Sequence, residues 1–107
     1  MDPQEFLKKY EADLLQILRD YDAGEIQHDK VSEFAWSVIA DCEKSGLPSD
    51  AVYTVSEHAY WAAIWMLQHL ADQEHWADNI TQPDVQKYIR IQSGEESLPR
   101  GEEGLRP

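Results

Sequence analysis

The chain has 107 residues, 21 aspartates and glutamates against 9 lysines and arginines, and a formal net charge of −12. That length suits one domain, and four tryptophans, five tyrosines and two phenylalanines separate it from chains too poor in large apolar groups to fold. A surface this acidic repels phosphate, which argues against direct nucleic-acid binding and anionic membranes, and attracts a basic protein.

The first helix begins at Asp2-Pro3-Gln4-Glu5. Asp2 suits the N-cap, Pro3 at the first helical position wastes no donor, and Glu5 meets the positive end of the helix dipole. Met1 and Phe6 occupy the hydrophobic-staple positions. Phe6, Leu7, Tyr10, Leu14, Ile17, Leu18 and Tyr21 then recur at the spacing of one helical face, and Gly24 provides the stop. A second helix is predicted from His28 to Lys44, with Val31, Phe34, Ala35, Val38, Ile39 and Cys42 as its apolar stripe and Gly46-Leu47-Pro48 closing it. Gln27 is an indifferent N-cap.

The third helix carries a capping box, Thr54-Val55-Ser56-Glu57. It runs through Val55, Ala59, Ala62, Ala63, Met66 and Leu70 towards Trp76, and its alanines let neighbouring helices approach closely, which places it centrally. The fourth starts at Ile80-Thr81-Gln82-Pro83-Asp84-Val85, with Thr81 as cap, turns Val85, Tyr88 and Ile89 inward, and ends near Gly94. The expected fold is an all-α, antiparallel four-helix bundle over residues 1–92. Residues 93–107 hold four glutamates, three glycines, two prolines and two leucines. Such a segment has little apolar area to set against its ordering entropy, so it reads as a flexible acidic tail.

The single cysteine, Cys42, precludes an internal disulfide framework, and its place on an apolar stripe marks it as a small hydrophobe, not a nucleophile. No Gly-rich phosphate loop occurs. The N-terminus lacks the apolar segment of a signal peptide. The longest apolar run, residues 59–67, falls well short of the roughly 20 residues that span a membrane. A reduced, cytoplasmic protein is expected. His58 and His69 lie about 16 Å apart along a helix at about 1.5 Å per residue and cannot share an ion. His69 and Asp72 form one i, i+3 pair with no second pair to complete a site. No catalytic residue, metal or cofactor is assigned.

Two features rise above this background. From Ser45 to Gln86 the chain has no lysine or arginine but holds Asp50, Glu57, Asp72, Glu74, Asp78 and Asp84. Alongside the Ala59–Met66–Leu70 face, the third helix carries a second stripe: His58, Trp61, Trp65, His69, Asp72 and Trp76. Either the stripe is core, or its exposed part offers aromatic anchors ringed by acids, the composition of a site for a basic protein. On the second reading the partner surface comprises Asp50, Tyr53, Glu57, Trp61, Trp65, Asp72, Glu74 and Asp78.

The chain resembles the small acidic helical immunity proteins that protect bacteria from colicins and contact-dependent toxins. The resemblance is carried by Leu14-Leu15 with Leu18, by Gly24-Glu25-Ile26 leading to Phe34-Ala35-Trp36, by the acidic aromatic third helix, and by residues 79–85. Asp50-Ala51-Val52-Tyr53 only loosely echoes the Asp-Leu-Ile-Tyr-Tyr-Pro segment of the DNase-colicin members, so no partner-contacting residue is carried over. The resemblance implies a stoichiometric, non-enzymatic inhibitor of a cationic nuclease toxin. Two other readings use the same charges or aromatics: a phage-type DNA mimic directed at a host protein, and a homodimeric helical module.

Overall fold

A computed structural model describes residues 3–46, 52–68 and 82–107. Four helices account for its secondary structure, and no strand occurs among the described residues. They are α1 (Pro3–Asp22), α2 (His28–Ser45), α3 (Val55–Gln68) and α4 (Gln82–Gln92).

Local chemistry sets the helix ends. At the end of α1 the Glu25 N–H donates to Asp20 O at 2.9 Å and the Gly24 N–H to Tyr21 O at 3.0 Å, the paired bonds of a Schellman stop. The same pair closes α4, from Glu95 to Arg90 and from Gly94 to Ile91. Gly46 ends α2 at φ 67°, ψ 34°, a left-handed conformation that a side chain would strain. Gln27 flanks α2 without a side-chain cap. Thr54 does cap α3, its Oγ1 accepting the Glu57 N–H at 3.1 Å. The expected contributions of Met1, Asp2, Leu47, Pro48, Ile80 and Thr81 lie outside the described residues, as does any extension of α3 towards Trp76.

Helix α3 packs against each of the other three helices, and α1 against α2 and α4. This central position explains why burial extends around α3 instead of following one stripe: Ala59, Tyr60, Trp61, Ala62, Ala63, Ile64 and Leu67 are all buried. Tyr60, Trp61, Ala63, Ile64 and Leu67 join Phe6, Leu14 and Leu18 of α1, Val31, Ala35 and Val38 of α2, and Val85 of α4 in one core. Val55, expected on the inward face, is exposed at the start of α3. Polar ties stitch the helices. Ser32 Oγ donates to Gln68 O at 3.2 Å and Gln92 Nε2 to Ala59 O at 3.0 Å. Tyr10 donates its hydroxyl to Asp41, which Lys9 also approaches at 3.3 Å.

Residues 93–107 differ from the expected flexible tail. Glu96 pairs with Arg90 at 3.5 Å and Glu102 with Lys87 at 3.0 Å, and the chain then lies along α3. The composition argument weighs apolar area alone. What holds this segment is a small set of directed contacts.

Candidate functional site

Those contacts converge on the residues expected to meet a basic partner. Gly104 donates its N–H to His58 O at 3.0 Å, while its own carbonyl lies 2.9 Å from His58 Nδ1. Two opposed bonds to one residue fix the segment's direction as well as its position. A Cβ built on Gly104 would fall 2.7 Å from Ala62 Cα, inside van der Waals contact, so glycine is required for the approach. One residue on, Trp65 donates its indole N–H to Leu105 O at 2.7 Å. The Leu105 side chain points away and remains 59% exposed.

Arg106 completes the arrangement. Its Nε and Nη2 donate to Glu57 Oε2 and Oε1 at 2.5 and 2.7 Å, a bidentate fork that suits guanidinium and carboxylate geometry. The two side chains are only 6% and 1% exposed. Glu57 Oε2 also accepts the Trp61 indole N–H at 3.1 Å. The guanidinium lies 4.1 Å over the Tyr53 ring, whose other stacking contact is His58, ring centroids 4.3 Å apart and 10° from parallel. The Tyr53 hydroxyl accepts the Arg106 backbone N–H at 2.8 Å. The hydrogen bonds to Glu57 raise the Arg106 pKa above its ordinary value, outweighing the effect of burial. Carboxylate, aromatic face and backbone acceptor together form an arginine pocket.

This geometry corrects the expected surface. Glu57 is buried and paired within the chain, because its side chain, in the first turn of α3, turns inward to meet Arg106 and Trp61. Trp61 is fully buried, stacked on Phe6 at 5.8 Å and edge-on to Tyr60 at 5.1 Å. The central position of α3 leaves neither residue for a partner. Tyr53 and Trp65 are half-buried and hold the C-terminal segment. Asp50, Asp72, Glu74 and Asp78 lie outside the described residues, as do His69 and His75. Among the described residues no group of His, Cys, Asp or Glu side chains is placed to hold a metal ion.

Two functional features escape sequence reasoning. Arg106, with Gly104, is one; its only signal is a Gly-Leu-Arg step in an otherwise low-complexity segment. The other is Trp36, 47% exposed. It lies off the apolar stripe of α2, and a large aromatic on the polar face of an amphipathic helix is the available signal. Asp29, Glu33, Ala40 and Glu43 fall seven and three residues before it and four and seven after it, so at 3.6 residues per turn they share its face. All four are exposed. Lys30 touches Glu33 at 3.5 Å from the side of this strip. The result is one aromatic anchor with carboxylates at both ends.

Elsewhere, a pocket of about 70 Å³ lies between Leu7, Tyr60 and Ile91, well below the roughly 300 Å³ at which ligand pockets begin. No helix among the described residues is long and apolar enough to cross a membrane. The chain matches no protein-family model, no curated protein and no solved structure.

Proposed function

We propose that the protein is a non-enzymatic acidic binding protein that neutralises a basic partner in the cytoplasm, as an immunity protein neutralises a cognate nuclease toxin. The carrying observation is the outer face of α2, where Trp36 stands exposed between Asp29, Glu33 and Glu43. Exposed tryptophan is a favoured binding anchor, and carboxylates around it accelerate encounter with a cationic surface and pair with its arginines and lysines. In this reading the four helices form an antiparallel bundle, a rigid platform that presents α2 without rearrangement. The acids of residues 69–81 add to the field that steers the partner.

The test is capture of a basic nuclease by the purified full chain, followed by titration of the nuclease's activity. A one-to-one loss of activity supports inhibition. Trp36→Ala is expected to weaken binding at least tenfold with the fold intact. The double variant Glu33→Lys, Glu43→Lys is expected to slow association and flatten its salt dependence. Unchanged kinetics in both variants would remove α2 as the docking face. A captured nuclease that stays fully active would remove the inhibitor reading.

A further inference from the structure

We propose that the α3 pocket is a recognition site for extended peptides of the form Gly-x-Arg in trans, and that the chain's own residues 104–106 are its resident ligand. The proposal does not depend on the basic-partner reading, because the pocket and the Trp36 face belong to different helices.

Each element of the motif follows from a separate contact. Glycine is demanded by the approach of Gly104 to the Trp61–Ala62 backbone. The next position is open: Leu105 contributes its carbonyl to Trp65, while its side chain is exposed. Arginine is demanded by the two-pronged contact with Glu57 beneath the Tyr53 ring. Lysine would keep the charge and lose both the fork and the planar stack. Chain direction is read by His58, which engages the N–H and the carbonyl of the same glycine. The site therefore recognises main chain at two residues and side chain at one, as sites for linear peptide motifs do.

In the resting protein the tethered segment competes with any incoming peptide. Even a fully flexible tether of this length would give an effective concentration of the order of millimolar, and this one is held further by the Glu96–Arg90 and Glu102–Lys87 pairs, so occupancy from outside requires a tighter or multivalent ligand, or release of the resident segment. Residues 93–97, which lead into it, are exposed throughout and make room for that release.

The test uses the full-length chain and a fluorescein-labelled peptide with the sequence of residues 98–107. In Gly104→Val the added branched side chain prevents the resident segment from seating, while Glu57, Tyr53, His58 and Trp65 remain. Fluorescence anisotropy is expected to show saturable binding to this variant and at least tenfold weaker binding to the wild type. The Arg106→Lys peptide is expected to bind at least tenfold more weakly, and the Leu105→Ser peptide within about twofold of the parent. Adding Glu57→Gln to the protein should abolish binding. Arg106→Ala, which loosens the segment without steric pressure, serves as an independent open form. Absence of saturable binding to both open forms while their helical circular dichroism persists would overturn the proposal. So would equal affinity for the arginine and lysine peptides. If both forms unfold, the segment is an obligate part of the folding unit, and the proposal fails on that ground too.

Discussion

Arg106 grips Glu57 across 49 residues of sequence with both prongs of its guanidinium. Breaking a buried ion pair commonly costs about 3–5 kcal/mol, because one charge is stranded. Here the segment carrying Arg106 can lift and let water reach Glu57, which caps the penalty. Arg106→Ala and Glu57→Ala are each expected to lower stability by about 1–3 kcal/mol, with a coupling of about 1–2 kcal/mol in the double variant. Chemical denaturation of the four proteins in the cycle measures it, and additive effects would mean that the pair contributes nothing specific.

Gly104 makes a separable contribution. A methyl group there would meet Ala62 Cα at 2.7 Å, so Gly104→Ala is expected to unseat residues 101–107 while the helices persist. The bond after Arg100 should then be cut by trypsin several-fold faster than in the wild type, whereas Arg106, followed by proline, stays a poor site. An unchanged cleavage rate would show that the segment tolerates the added carbon by shifting on α3.

Asp41 ties α1 to α2 through Tyr10 and Lys9. The hydrogen bond from Tyr10, then that from Lys9, hold its carboxyl below the ordinary value of 3.8. A carboxylate with a lowered folded-state pKa stabilises the fold above its unfolded pKa and loses that contribution as pH falls through the folded one. The stability difference between wild type and Asp41→Asn should therefore be constant from neutral pH down to about pH 5 and shrink below about pH 4. The pair is exposed, so the difference is small and salt-sensitive. A difference that grew on acidification would reverse the sign of this account.

Cys42 is buried on α2, and burial, reinforced by the Glu57 charge, pushes its thiol up to about 11. Only about one molecule in a thousand is then thiolate at pH 8, against about a quarter for a free cysteine of pKa near 8.5. Labelling by a thiol-specific disulfide reagent should be at least about a hundredfold slower in the native protein than in denaturant. Prompt labelling under native conditions would show that α2 opens locally.

What was legible in the sequence was whatever local rules decide. Gly24 and Gly46 stop their helices where glycine must, Thr54 caps α3, and the alanine-rich α3 lies among the other three helices. The expected binding face required long-range knowledge. Glu57 reads as one more solvated acid until Arg106 is brought to it, and no periodicity links the two. Trp61 and Trp65 share a stripe by spacing, yet one is core and the other half-buried under the C-terminal segment, a distinction set by neighbours and not by the helix itself. The segment misled for a related reason: its order comes from one glycine, one arginine and a few carbonyls, which composition averages away. Trp36 was visible all along as an aromatic on the wrong face of α2.

The Glu57–Arg106 pair also bears on timing. Synthesis runs from the N-terminus, and local helices form in microseconds, far faster than residues are added. Glu57 therefore waits through 48 intervening residues before its counter-charge exists. Until then the first turn of α3 must stay hydrated, and Trp61, whose indole bonds to the same carboxylate, has reason to settle late. A nascent chain that has not reached residue 106 therefore holds the sequence of all four helices but lacks the guanidinium that neutralises Glu57.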